Sequence, residues 1–500
     1  MSLVKMLVMA ACLASSVTTI ARAQVVPPPV ETPDKPARGE ENWLIPMDQR
    51  PAFGEWKTMD QIQTASVWTG LLGNGVRVSW KYFPVEKQTA QIQVALYGGG
   101  LQEDATTRGL TEAAVQAWTT AALTDMSHAE LKSRLKGWNV GSLGEVAGDF
   151  ARLTVAGDNI HLELQFQLAY LLLTKPRVEP AAIETWKQQQ LREIEGRMRG
   201  TRAAFPHVMA EALFPAADPR GRALTREQVD AITVEKAQAW LEQLIKTAPI
   251  EISVVGRVPK DNVFDNAQRY FAGLAPRPEV TRQTNAQLRV IPKADHTVRI
   301  DRQMPSSNGR AVVSWGFWAC DEYDYERVLP LQLAARIATR RFDATISKLL
   351  PERGNRGGVS WALNPGSTFP GMGMLVGVAT APPGRADEFH ERMLTEIREL
   401  AETGPTQIEM EEALPALREQ WRDRLTDMGG WAMLLESLAY TGVDPAQVLL
   451  VPDKVLEVTP EQVRDALRTV VQSEPATSIV LRPLQAGAVQ QPAPQQPAGN

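Results

Sequence analysis

Two stretches of this chain, 226 residues apart, carry one pattern without a gap: ITVEKAQAWLEQLIKTAPIEISVVG from Ile232 and VTPEQVRDALRTVVQSEPATSIVLR from Val458. Thr233 matches Thr459, Glu235 matches Glu461, Leu241 matches Leu467, Pro249 matches Pro475 and Val254 matches Val480. Each stretch reads as a threonine cap with a glutamate two residues on, an amphipathic helix, a proline stop and an apolar strand. Solenoid units recur every 20–50 residues or so. A repeat at this far greater distance implies a duplicated domain. We therefore expect two domains of like fold, at 56–275 and 285–484, joined through the proline-rich, polar RYFAGLAPRPEVTRQTNAQ.

Within the first half, GVRVSWKYFP and TAQIQVALYGG alternate as half-buried strands with a turn between them. LTEAAVQAWTTAAL is alanine-rich and reads as one helix, and Ser127 is placed to cap another over SHAELKSRLKGW. FARLTVAGDNIHLELQFQLAYLLL reads as strand, turn and helix, and a long charged helix follows with Pro180 in its first turn. The second half supplies strands in GRAVVSWGFWA and GMGMLVGVATAP. Helices are expected in ERVLPLQLAARIATRRF, ADEFHERMLTEIRELAETG and TQIEMEEALPALREQWRDRL. The expected fold class is α+β: two duplicated domains, each a mostly antiparallel sheet packed with helices.

The two ends of the chain do not read as part of either domain. Lys5, the apolar MLVMAACLASSVTTIA and the small-x-small ARA predict a signal peptide over 1–23, cleaved after Ala23, hence export to the periplasm or the medium. Cys12 is a poor lipidation site, because MAAC lacks the usual aliphatic residue three before the cysteine. Once the leader is removed only Cys320 remains, so no intrachain disulfide can form. The segment 24–55 is a proline-rich linker, and QAGAVQQPAPQQPAGN (485–500) is a low-complexity tail. After signal cleavage no stretch reaches the ~18 apolar residues of a membrane span. The net charge of −5, with no lysine–arginine run, argues against nucleic acid as a partner.

The ordered series LGNGVRVSW, VALYGGGLQED and TTRGLTEAAVQAW resembles the opening of the pitrilysin/insulinase family of zinc metallopeptidases, in its short two-domain, processing-peptidase-like form. AELKSRLKGWNVGSLGEVAGDFARLTV and ADPRGRALTREQVDAITVEKAQAWL extend the resemblance, which spans about residues 67–483. It implies an inverted motif, H-x-x-E-H, on the helix after the Gly-Leu pair. There two histidines bind zinc and the glutamate takes a proton from the bound water. In this chain the five positions are Glu112, Ala113, Ala114, Val115 and Gln116. Both histidines and the base are replaced. The third ligand of the family, a glutamate on a later helix, matches Glu193, 77 residues beyond Gln116.

Glu112, Gln116 and Glu193 make a poor zinc set, because zinc favours imidazole and thiolate over a neutral amide oxygen. Val115 has no proton to exchange. Two carboxylates and an amide suit a weak Ca²⁺ or Mg²⁺ site only if more oxygens join them. The plainest reading is an i,i+4 hydrogen bond between Glu112 and Gln116, with an unforeseen catalytic role as the remaining alternative. His128, His161, His207, His296 and His390 are scattered, and only His207 has an acidic residue at helical spacing, Glu211. There is no G-x-S-x-G elbow, and neither GNRGG nor YGGG has the context of a phosphate loop. The resemblance also implies a substrate-holding arginine and tyrosine in the second domain. These fall on Arg353 or Arg356 and on Ser360 or Trp361, and we take Arg356 and Trp361 as the candidate substrate contacts.

Short family members pair into a clam-shaped chamber, some with only one zinc-bearing chain. The resemblance thus implies a non-catalytic exported homologue that pairs with an active zinc-peptidase sister, or with itself, around peptide. No cofactor is expected, zinc being the metal of active members. Two alternatives are an active zinc metalloendopeptidase with non-standard ligands and a stand-alone peptide-binding or scaffold protein.

Overall fold

A computed structural model describes residues 43–484 apart from 85–88, 198, 307–308 and 351–357. The expected leader, most of the proline-rich segment and the tail lie outside the described residues.

The first sheet has seven strands: β1 (Trp56–Ile62), β2 (Val67–Leu72), β3 (Arg77–Tyr82), β4 (Thr89–Tyr97), β5 (Val140–Val146), β6 (Phe150–Asp158) and β7 (Ile250–Gly256). Its order is β1-β2-β3-β7-β4-β6-β5. The second sheet has β8 (Val298–Met304), β9 (Ala311–Trp318), β10 (Val359–Asn364), β11 (Met374–Ala381) and β12 (Thr477–Pro483), in the order β10-β11-β9-β12-β8. Read from the β5 and β10 edges, the two orders correspond strand for strand through β3 and β8. In each sheet one pair is parallel, β3 with β7 and β8 with β12, and the rest are antiparallel. The fold is α+β, with two mostly antiparallel sheets packed with helices.

β3 and β4 read from the sequence as successive strands with a turn between them, yet they are not neighbours. β7 lies between them, parallel to one and antiparallel to the other. All seven of its residues are buried, and the period of two explains how. Ile250, Ile252 and Val254 enter the first-half core. On the opposite face Val255 packs with second-half residues, Ser253 Oγ donates to Ala432 O at 2.8 Å, and Glu251 accepts the Ala439 N–H at 2.7 Å. A polar-dotted strand is thus buried on both faces.

The helices of the first half are α1 (Leu110–Ala114), α2 (Gln116–Thr119), α3 (His128–Leu135), α4 (Leu162–Thr174), α5 (Pro180–Arg197), α6 (Thr201–Leu213), α7 (Arg226–Asp230), α8 (Val234–Thr247) and α9 (Lys260–Tyr270). Those of the second half are α10 (Tyr325–Leu349), α11 (Ala386–Thr403), α12 (Gln407–Thr426), α13 (Met428–Leu435), α14 (Leu438–Thr441), α15 (Pro445–Leu456) and α16 (Pro460–Val471). Ser127 caps α3 in a capping box with Glu130. The repeated threonines cap the repeated helices: Thr233 accepts the Lys236 N–H of α8 and Thr459 the Gln462 N–H of α16. Cys320, buried and free, has its thiol pushed up to about 12 by burial. Among the described residues no helix is long and apolar enough to cross a membrane.

Candidate functional site

The motif helix begins as its Gly-Leu pair predicts. Gly109 stands in the left-handed region at φ +89, which favours glycine. Asp104 closes the preceding turn, accepting the N–H groups of Thr106 and Thr107 at 2.8 and 2.9 Å. With two hydroxyl donors added, these bonds bring its carboxyl down to about 2. Buried Glu103 then fills the helix N-terminus. Its carboxylate accepts the N–H of Gly109 at 3.1 Å and of Thr111 at 2.8 Å, and Arg108 Nη1 pairs with it at 2.7 Å. The free N–H groups and positive end of a helix favour a carboxylate here. The sequence reading missed this pair, although its signal was an acidic residue shortly ahead of the Gly-Leu step.

The expected single helix over LTEAAVQAWTTAAL does not form. It breaks at Val115, with φ −68 and ψ −7, into the short α1 and α2, and Thr120–Leu123 is not helical. The strand β5 lies against the break. Gly144 comes so close that a Cβ there would sit 2.1 Å from the Val115 carbonyl oxygen. The same strand holds α2 by two hydroxyls: Ser142 Oγ donates to Trp118 O at 2.7 Å, and Thr119 Oγ1 accepts the Gly144 N–H at 3.0 Å.

The structure brings the three motif-matching acids and amides into one neighbourhood without making a cage of them. Gln116 does bond back to residue 112, but its Nε2 donates to the Glu112 backbone carbonyl at 3.0 Å rather than to the carboxylate. The Glu112 carboxyl instead accepts from Gln190 Nε2 of α5 at 3.3 Å. Burial pushes the Glu112 carboxyl up, Glu103 and Glu193 push the same way, and Arg108 opposes them. Val115, at the position of the base, is a core residue, 2% exposed. Among the described residues no group of three His, Cys, Asp or Glu side chains is placed to hold a metal. The donor set does not fit zinc: the amide is turned to its own backbone, the Glu112 carboxyl is taken up with Gln190, and imidazole is lacking.

The histidines have structural surroundings. His128 Nδ1 lies 3.0 Å from Ala121 O, His161 packs edge-on against Trp138, and His296 pairs with exposed Asp295. His390 is stacked on Trp315. Glu211, four residues after His207, pairs with Arg302 at 3.1 Å. Arg353 and Arg356 lie outside the described residues. Ser360 is buried on β10, and Trp361, 4% exposed, lays its ring against Gly377 of β11. One side of Trp361 also borders a cavity of the second half.

A second polar cluster, unforeseen from the sequence, joins the two halves. Arg152 of β6 pairs through two guanidinium nitrogens with both carboxylate oxygens of Glu436, with Nε at 2.7 Å. Tyr97 Oη donates to the Glu436 carbonyl at 3.0 Å, and its ring stacks on Tyr440 at 4.2 Å. Glu251, beside this cluster, is pushed up to about 7 by burial.

Comparison with known proteins agrees with this architecture. Residues 231–417 match the family model described as the peptidase M16 inactive domain, from the repeated helix α8 into α12. No curated protein matches the chain in sequence. Among solved structures, the periplasmic protease PqqL of Escherichia coli aligns with a TM-score of 0.67 at 19% identity, over 86% of this chain and 46% of PqqL. The ferredoxin protease FusC, solved with Arabidopsis ferredoxin, aligns with a TM-score of 0.68 at 17% identity, over 90% of this chain and 48% of FusC. A peptidase M16 inactive domain from Pseudomonas fluorescens aligns with a TM-score of 0.68 at 16% identity, over 85% of this chain and all of that one. The chain thus spans about half the length of PqqL and FusC and resembles all three in fold.

Proposed function

We propose that this chain, whose residues 231–417 match the peptidase M16 inactive domain and whose fold resembles M16 proteins, is a non-catalytic, exported homologue of the pitrilysin-type peptidases that pairs with a zinc-bearing sister to enclose peptide. One observation carries this reading. The positions that would bind zinc and activate water hold Glu112, Val115 and Gln116 on a helix broken at Val115, while both sheets keep their matching order. A metal-activated water needs ligands and a base together; the base and two of the three ligands are replaced. The half-length alignment with the proteases PqqL and FusC supports a role as one half of a larger chamber. Export rests on the expected leader, and PqqL, a periplasmic protease, offers a parallel.

The test is co-purification of the mature chain with a zinc-bearing two-domain M16 peptidase of the same organism, with light scattering and a peptide-cleavage assay. The expected result is a one-to-one complex that cleaves peptides faster than the sister alone and loses activity to a chelator, while this chain alone is inert. A chain that stays monomeric and leaves the sister's rate unchanged refutes the pairing. Chelator-sensitive cleavage by this chain alone refutes the non-catalytic reading.

A further inference from the structure

The second half holds a cavity of about 560 Å³ between α10, α12, the edge strand β10 and the loop that follows it, with Gly148 of the first half at its margin. By the matching strand order, this is the second-half counterpart of the place where the motif helix meets β5. Its floor is apolar and includes the buried rings of Trp361 and Trp421 together with Leu417. Its rim is cationic, in a chain whose net charge is −5.

The rim arginines differ in what they already hold. Arg340 is paired with Glu412 at 2.9 Å. Arg336, one helical turn earlier, donates to the neutral Gln420 Oε1 at 2.7 Å, and burial and the neighbouring Arg340 both lower its pKa. Arg424 lies over the Trp421 ring at 4.5 Å. Among the described residues neither Arg336 nor Arg424 has an ion-pair partner. The carboxyl that lines the cavity, Glu322, is pushed up by burial, and the charge of Arg424 nearby opposes that shift. Asn364, also in the wall, has a buried Oδ1 without a protein donor.

The edge of β10 is closed to an added strand at its middle. Trp361 N–H donates to Thr339 Oγ1 at 2.8 Å, and the same hydroxyl bonds to Trp361 O at 3.3 Å. Recognition in this cavity therefore falls to side chains. Guanidinium groups without an ion-pair partner select carboxylates, and the tryptophan floor selects an apolar side chain.

We propose that this cavity binds a peptide segment in which an acidic residue adjoins a large apolar one: the carboxylate pairs with Arg336 and Arg424, and the apolar side chain lies on the Trp361–Trp421 floor. The inference deepens the peptide-enclosing reading above and rests on it only for the biological source of the peptide.

The test uses the mature chain alone, so that pairing plays no part in the outcome. Binding of a blocked hexapeptide with a central Leu-Glu-Phe is measured by calorimetry and tryptophan fluorescence, against the same peptide with Gln for Glu. The glutamate peptide is expected to bind about 10-fold tighter, as loss of a charged hydrogen-bonding partner implies. Arg336→Gln and Arg424→Gln should each remove about that factor, and Arg340→Gln should cost less than about threefold, since that guanidinium is already paired. Equal affinity for the two peptides overturns the proposal, as does no binding of either at millimolar concentration. An Arg340→Gln effect as large as that of Arg336→Gln overturns the assignment of the carboxylate. Light scattering with the sister, run on the same variants, reports separately on the pairing.

Discussion

Thr119 Oγ1 accepts the N–H of Gly144 at 3.0 Å and bonds to the carbonyl of the same residue at 3.2 Å, so one hydroxyl occupies both backbone groups of an edge-strand residue. Thr339 does the same to Trp361 in the second half, at 2.8 and 3.3 Å. An unpaired strand edge is a template for another strand, and each half fills the middle of its edge from the helix beside it. Thr119→Val keeps the shape and removes the hydroxyl. It should cost about 1–2 kcal/mol, the worth of a hydrogen bond whose partner is left wanting, while Thr119→Ser should stay within about 0.5 kcal/mol. Thr339→Val should show a similar loss. Urea unfolding midpoints at unchanged slope provide the measurement.

The pairing of Arg152 with Glu436 ties β6 to α13 across the two halves, with Glu436 1% exposed. Arg152→Met leaves that carboxylate buried without its countercharge and should cost about 3–5 kcal/mol. Changing both partners, Arg152→Met with Glu436→Leu, should recover most of the loss, because an apolar pair of similar volume often replaces a buried ion pair at little cost. Thermal unfolding of the two single variants and the double variant closes the cycle.

Glu251 gives the stability of the fold a pH dependence of predictable sign. Its folded value, raised to about 7 by burial, lies above the ordinary carboxylate value. The Ala439 N–H and Arg77 favour its charged form, while nearby Glu436 opposes it. The folded state therefore holds a proton that the unfolded chain releases. The stabilisation is complete below the unfolded value of about 4.3 and is lost as pH rises to about 7, by at most about 1.4 kcal/mol per pH unit. Glu251→Gln is neutral throughout and still accepts from Ala439. It should flatten the fall in stability between about pH 5 and pH 7 and exceed wild type at about pH 8. Guanidinium titrations of both proteins across that range check it.

What could be read from the sequence was what is local or repeated. Thr233, Thr459 and Ser127 cap helices through neighbours three residues on, so their roles appear in short windows. The repeat from Ile232 and Val458 revealed the duplication because its apolar positions are kept in register. The insertion of β7 between β3 and β4 was hidden, since a strand buried on both faces carries no sign of which partners it will join. β5 was missed because NVGSLGEV has few apolar side chains to alternate. The break at Val115 was missed because LTEAAVQAWTTAAL carries neither proline nor glycine to announce it. At the candidate site the i,i+4 relation of Glu112 and Gln116 is legible in the sequence, but the direction of the Gln116 amide and the cap supplied by Glu103 depend on tertiary contacts.

The motif helix makes the last prediction. The mature chain, dialysed and examined by elemental analysis, should carry no stoichiometric zinc, because Gln116 is turned to its own backbone and the Glu112 carboxylate is bonded to Gln190. Glu112→His with Gln116→His supplies two imidazoles and leaves Glu193 as the third donor. The family geometry sets its two histidines one turn apart on a continuous helix, and here the turn is interrupted at Val115, which faces Gly144 of β5. The double variant should therefore take up zinc more weakly than a zinc-bearing family member does, as read by competition with a coloured chelator. It should also show no peptide hydrolysis, because Val115 has no proton to exchange. Adding Val115→Glu supplies the base but puts a carboxyl into a position that is 2% exposed. The triple variant should gain at most slight chelator-sensitive cleavage, together with a loss of stability of several kcal/mol from the buried charge. Full zinc occupancy and efficient cleavage by the triple variant would show that the helix re-forms across Val115 and that its break follows from the substitutions rather than from the approach of β5.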